Sequence, residues 1–158
     1  MIFVTLGTQK FQMNRLIKAA DKLADQIDEE IFIQTGNSTY KPRKCKYEAF
    51  MSPESYKEKI EKCSCLITHA GVGTIITGVN ADKPVIVVPR LAAMKEHVDD
   101  HQKEIAEAFS GKGCVLYCKN ADDLKKYVDM SKTYNFQPYV VHGGKIEDII
   151  LDFIGIFA

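Results

Sequence analysis

Two stretches of this chain hold residues whose types and spacing could do chemistry. The first is Thr68-His69-Ala70-Gly71-Val72-Gly73-Thr74, which follows the apolar run Cys65-Leu66-Ile67 and opens a segment of helical character. A strand that runs into a glycine-rich turn and then a helix start presents free backbone N–H groups, and the helix dipole favours negative charge there. Gly71 and Gly73 lack a Cβ, so a ligand can come close to the main chain, and Thr74 adds a hydroxyl donor. Phosphate binding is the chemistry that fits, although a glycine turn can also do no more than join a strand to a helix. His69 could serve as a general base, could bond a phosphate or sugar oxygen, or could be a structural histidine.

The second stretch is Glu96-His97-Val98-Asp99-Asp100-His101-Gln102, which gathers acids, histidines and an amide around an expected helix start. Asp99 and Asp100 suit the positive end of a helix, and plain capping would account for them. Asp99 and Gln102 are three apart, so both can face one ligand, and a carboxylate with an amide bonds well to sugar hydroxyls. His97 and His101 are four apart, a spacing that could pair on a metal, but no further ligand cluster supports one and none is expected. The chain contains no G-x-x-x-x-G-K-[ST] loop, no D-x-D, and no serine or cysteine in a nucleophile elbow; Gly7-Thr8-Gln9 is not G-x-G-x-x-G. Phosphate would then be held by N–H groups, hydroxyls and Arg90, without a metal or other cofactor.

The elements that must position these groups alternate along the chain. Strands are predicted at 1–6, 30–35, 46–51, 65–68, 85–88 and 114–118. Val85-Ile86-Val87-Val88 is a β-branched run without alternation, as expected for a strand buried on both faces of a parallel sheet. Helices are predicted at 14–28, 53–62 (behind a Ser52-Pro53-Glu54 start), 72–80, 98–109, from Asn120 and Asp123 to about Met130, and from Gly143-Gly144 through the apolar stripe Ile146, Ile149, Ile150, Phe153, Ile154. The order argues for an α/β fold, a Rossmann-like doubly wound parallel sheet of about six strands with right-handed crossovers. Ligands of such sheets bind at the carboxyl ends of the strands, which here means Gly7-Thr8-Gln9, the turn at Phe50-Met51, the turn at 69–74, and residues 90–102.

Length and composition are consistent with this. The chain's 158 residues suit a single domain, 1–158, and 46% apolar residues suffice for a core. The 21 basic residues balance 21 acidic ones, so no net field draws nucleic acid. The five cysteines form no C-x-x-C pair and read as reduced, buried thiols. The first six residues lack a charged n-region and no run approaches a membrane span, so the expectation is a cytoplasmic protein that meets a membrane only through a partner.

Four motifs in this order resemble one known family: Met1-Ile2-Phe3-Val4-Thr5-Leu6-Gly7-Thr8, His69-Ala70-Gly71-Val72-Gly73-Thr74, Lys83-Pro84-Val85-Ile86-Val87-Val88-Pro89-Arg90, and Glu96 to Gln102. Over about residues 1–155 the chain resembles the C-terminal, donor-binding half of MurG-type GT-B glycosyltransferases, family 28. It is more similar still to the stand-alone small subunits of split enzymes, the PssE/EpsF-like proteins of capsule and exopolysaccharide synthesis and the soluble subunit of the dolichol-linked N-acetylglucosaminyltransferase. The resemblance implies Gly7 and Thr8 near a diphosphate, Phe50 and Met51 reading a uracil ring through their backbone, Gly71, Gly73 and Thr74 at the phosphate, and Asp99, His101 and Gln102 at the donor sugar. It implies an inverting, metal-independent hexosyltransferase that takes a UDP-sugar and works with a membrane-anchored subunit holding a lipid-linked acceptor. The general base would come from that partner, with His69 or His97 as the other candidates, and the apolar last helix would dock the partner or pack on the sheet. The chain departs from the family at Thr77, where many relatives have a ribose-binding Glu, and at Asp100, where the motif has Asn. A non-catalytic enhancer subunit and a free-standing nucleotide-binding regulatory module are the rival readings.

Overall fold

The structure, a computed structural model, describes residues 1–139. The expected helix after Gly143-Gly144 lies outside the described residues. Six strands form one all-parallel sheet: β1 (Ile2–Thr5), β2 (Ile31–Gln34), β3 (Lys46–Glu48), β4 (Cys65–Thr68), β5 (Val85–Val87) and β6 (Leu116–Tyr117), in the order β3-β2-β1-β4-β5-β6. Among the described residues five α-helices accompany it: α1 (Asn14–Ala24), α2 (Pro53–Lys62), α3 (Val72–Asn80), α4 (His101–Gly111) and α5 (Leu124–Ser131).

The sheet is covered on both faces, which is why its central strands carry no alternation. Val4, Ile33, Ile67 and Ile86 pack with Leu16, Ile17 and Ala20 of α1 and Leu124 and Val128 of α5. Phe3, Leu66, Val85 and Val87 point the other way, onto Ile60 of α2, Ile75 and Val79 of α3, and Ala106 and Phe109 of α4. Each such side chain contributes about 1.5–3 kcal/mol on burial. All five cysteines are buried and free, and burial pushes the Cys65 thiol up to about 12. No helix of the described residues is long and apolar enough to cross a membrane.

Between β2 and β3 the chain crosses without a helix. Residues 37–45 instead fold back over α1, where the Asp21 carboxylate accepts the Arg43 and Lys44 N–H groups and Asn14 Oδ1 accepts those of Thr39 and Tyr40. Ser52 caps α2 as expected, its hydroxyl accepting the Ser55 N–H at 3.1 Å.

Several boundaries differ from the sequence reading. Helix α1 stops at Ala24 instead of 28, because the Asp25 and Gln26 N–H groups turn back to Lys22 and Leu23 in tight bonds. Strand β3 is three exposed residues at the sheet edge, and β6 is two. Asn120 opens a 3-10 turn, Ala121–Asp123, ahead of α5. Helix α4 begins at His101, not at Val98. The polar side chains of the preceding residues bond locally, Asp99 Oδ1 accepting the His101 N–H and Asp100 Oδ1 the Ala92 N–H, and so hold the backbone out of the helix.

Candidate functional site

From β1 the chain runs outward to β2 and β3, then crosses back to β4 on the other side of β1. The loops after β1 and β4 therefore diverge, and a crevice opens between them at the carboxyl ends of the strands. A cleft of about 490 Å³ occupies this place. Gly7 and Thr8 border it from the β1 loop, Phe50 and Met51 from the turn before α2, and His69, Gly71, Gly73 and Thr74 from the β4 turn. The structure thus gathers one group of sequence candidates into a single cavity.

Its phosphate-like corner is the start of α3. The first intrahelical bond is from the Ile75 N–H to the Gly71 carbonyl, 3.0 Å, so Val72, Gly73 and Thr74 have N–H groups without an intrahelical acceptor. Gly71 is the N-cap and no side chain caps the helix. A Cβ placed on Gly73 would meet nothing within 4 Å, so this stretch of main chain is open to a ligand. Thr74 Oγ1 lies 3.1 Å from the hydroxyl of Tyr56, a cleft residue of α2. Thr77 donates its hydroxyl to the Gly73 carbonyl at 2.8 Å.

The other two glycines serve His69. Gly7 has φ +74°, a left-handed conformation natural to glycine, and a Cβ there would fall 2.5 Å from His69 Nε2. A Cβ on Gly71 would fall 2.4 Å from His69 Cε1. The imidazole is wedged between the two loops and is 5% exposed. Burial, and then the Arg90 guanidinium, hold it well below the usual range, at about 3, so the ring is neutral around pH 7. As a base it is correspondingly weak.

Gln34 and Tyr56 belong to the cleft and were missed in the sequence. Gln34 ends β2 and is 3% exposed. Its Nε2 donates to the carbonyls of Gly7 (3.1 Å) and Ala49 (2.6 Å), and its Oε1 accepts the Thr5 hydroxyl (2.7 Å). It ties the β1 loop to the turn that leads to Phe50 and Met51. The one available signal was a lone amide closing the apolar run Ile31-Phe32-Ile33.

The remaining candidates lie outside the cleft lining. Arg90 is 1% exposed, and its guanidinium donates to the carbonyls of Leu6, Phe11, Gln12 and Glu96. It is a strut between the β1 and β5 loops and is not part of the cleft lining. Glu96 is held by Arg15 through two bonds of 2.9 and 3.1 Å and accepts the Leu91 N–H. Asp99 lies beside His97 Nδ1 (3.1 Å) and His101 Nδ1 (3.4 Å), and His97 packs near the Phe11 ring. Because α4 starts at His101, Asp99 and Gln102 do not share a helical face: Asp99 is half-buried on the loop before the helix, while Gln102 is buried on its first turn. Among the described residues no group of three or more His, Cys, Asp or Glu side chains gathers where a metal could sit.

A doubly wound parallel sheet with its cleft at the strand-order reversal is a Rossmann-like fold, here of the GT-B type. The chain belongs to the glycosyltransferase family 28 C-terminal domain family, whose model matches residues 1–139. It is 30% identical over 127 residues to the human UDP-N-acetylglucosamine transferase subunit ALG13, covering 74% of this chain and 11% of that protein. Against the Saccharomyces cerevisiae subunit of that name it is 31% identical over 91 residues, 56% of this chain and 43% of the relative. The chain thus spans less than half the length of these curated relatives. Among solved structures it resembles a solution structure of ALG13, with TM-score 0.62, 19% identity, and coverage of 96% of this chain and 95% of the other. It also resembles Acinetobacter baumannii MurG, with TM-score 0.57 and 17% identity, over 83% of this chain and 41% of MurG.

Proposed function

We propose that this chain is the donor-binding subunit of a two-component inverting glycosyltransferase, moving a hexose-type sugar from a UDP-sugar to a lipid-linked acceptor in exopolysaccharide or capsule synthesis. The observation that carries the reading is the start of α3: N–H groups at Val72, Gly73 and Thr74 without an intrahelical acceptor, beside a cleft at the switch point of the sheet that Gly73 and Thr74 line. These would hold the diphosphate and stabilise it as charge develops on the leaving group, without a metal. Gly7, Thr8 and His69 would border the diphosphate from the other side, and uracil would lie against Phe50 and Met51. Arg90 would act on the site through the loops it ties. Asp99 and His101 would meet the donor sugar where it emerges towards a second domain. The relatives' name, UDP-N-acetylglucosamine transferase subunit, favours an N-acetylhexosamine donor.

A GT-B enzyme closes two Rossmann-like domains over its substrates, and this chain supplies one. The second would come from a membrane-anchored subunit, which would place this chain at the inner face of the membrane. That partner would supply the general base, since His69 is a weak one. Thr77 favours one rival reading: its hydroxyl is already bonded to Gly73, so it offers no bidentate grip on ribose, as a non-catalytic enhancer subunit would allow. Calorimetric titration with UDP in the presence of a metal chelator separates the two. Saturable binding supports the donor-binding role, and no heat at saturating nucleotide rejects it in favour of the enhancer.

A further inference from the structure

Gln102 stands on the first turn of α4 and is 4% exposed. Its Oε1 lies 3.0 Å from the Ala70 nitrogen and 2.9 Å from the Arg90 nitrogen. Both neighbours are N–H donors, so only the oxygen of the amide can face them. The Nε2 group is thereby committed as a donor, and it lies 3.3 Å from His69 Nδ1. An Nδ1 that accepts this bond carries no proton of its own, so the proton of the neutral ring must be on Nε2. That nitrogen sits beside Gly7 and Gly71, both of them cleft residues, and has no hydrogen-bond partner among the described residues.

We infer that Gln102 is a positioning residue: its amide locks His69 as the Nε2–H imidazole and aims that N–H into the cleft as a fixed hydrogen-bond donor. One side chain so joins the ends of β4 and β5 and sets the protonation of a ring on the cleft wall. The sequence had Gln102 reaching a ligand directly alongside Asp99; the geometry has it acting through His69. The charged and titratable groups facing the ring are Arg90 at the end of β5 and His97 on the loop that follows, and both oppose protonation of the ring, as burial does. A neutral ring with Nε2 already protonated cannot accept a proton from an acceptor hydroxyl on the cleft side. It can donate to an oxygen there, and on the functional reading above that oxygen belongs to the diphosphate.

The test reads the ring directly, by long-range 1H–15N correlation spectra of the unliganded protein. Wild type should show His69 with a bare Nδ1 and a protonated Nε2 throughout about pH 5–9. Gln102→Glu keeps the shape and an acceptor for both backbone N–H groups but replaces the Nε2 donor with a carboxylate oxygen. His69 Nδ1 should then take up a proton, and the ring's titration should move upward by about 1 to 3 pH units. A protonated Nδ1 in wild type, or a bare Nδ1 in Gln102→Glu, overturns the inference. The wild-type spectrum needs no variant, so the result does not depend on how well Gln102→Glu folds. No nucleotide is present, so the outcome is separate from that of the UDP titration.

Discussion

Gly73→Asp isolates the contribution of the α3 N-terminus. A Cβ at this position meets nothing within 4 Å, so the substitution should not disturb packing. Aspartate ranks just above glycine in helix propensity, so little is lost or gained there, and an acid in the first turn adds about 0.3–1 kcal/mol through the dipole. The fold should therefore be as stable as before, or slightly more so. A bound diphosphate would feel the opposite effect. At about 5 Å and an effective dielectric constant of about 20, one carboxylate–phosphate charge pair repels by about 3 kcal/mol. The new carboxylate also competes for the same N–H groups. Affinity for UDP should fall by at least about 100-fold, the equivalent of that single pair. Calorimetry with UDP and with uridine, beside a thermal melt, separates the causes: UDP binding should collapse, uridine binding should change little, and Tm should hold. UDP affinity within about threefold of wild type would refute the assignment of the phosphate to this helix.

Other expectations follow from the same contacts. Gly71→Ala places a methyl group 2.4 Å from the His69 ring, so it should destabilise the protein by about 1–3 kcal/mol in urea titrations and weaken UDP binding as the ring is displaced. Gln34→Leu leaves the Gly7 carbonyl and the Thr5 hydroxyl without their side-chain partner, while the Ala49 carbonyl keeps the Gly36 N–H, and should cost about 1–3 kcal/mol in the same titrations, with UDP affinity reduced as the two loops part. His69 has a folded pKa of about 3 against an ordinary 6.5, so unfolding takes up a proton between those values. The unfolded state binds more protons there, and stability should fall as pH drops from 6.5 towards 3. His69→Gln should show a shallower decline in urea midpoint over that window, and an unchanged slope would contradict the buried, neutral ring.

The parts of this molecule that were legible in sequence are those governed by local chemistry. Val85 to Val88 reads as a doubly buried strand because its β-branched residues leave no solvent face, and the sheet confirms it. The glycine turn at 71–74 reads as the start of a helix with open N–H groups, and α3 begins there without a side-chain cap. Arg90 was not legible in the same way. A charged residue after an apolar strand gives no local sign of whether it meets a ligand or wraps carbonyls from a loop some 80 positions away, as it does at Leu6 and Phe11. Gln34 and Tyr56 were missed for a related reason: each matters through what the topology brings beside it. The pairing of Asp99 with Gln102 failed because it assumed a helix already running at Val98, whereas side-chain bonds of Asp99 and Asp100 delay it to His101.

The most direct test of the central claim is a titration of the 15N-labelled protein with UDP, followed by amide chemical shifts. The donor-binding reading expects saturable shifts concentrated at Val72, Gly73 and Thr74, with smaller ones at Gly7, Phe50 and Met51. Shifts confined to residues away from this cleft, or none at saturating UDP, would contradict it.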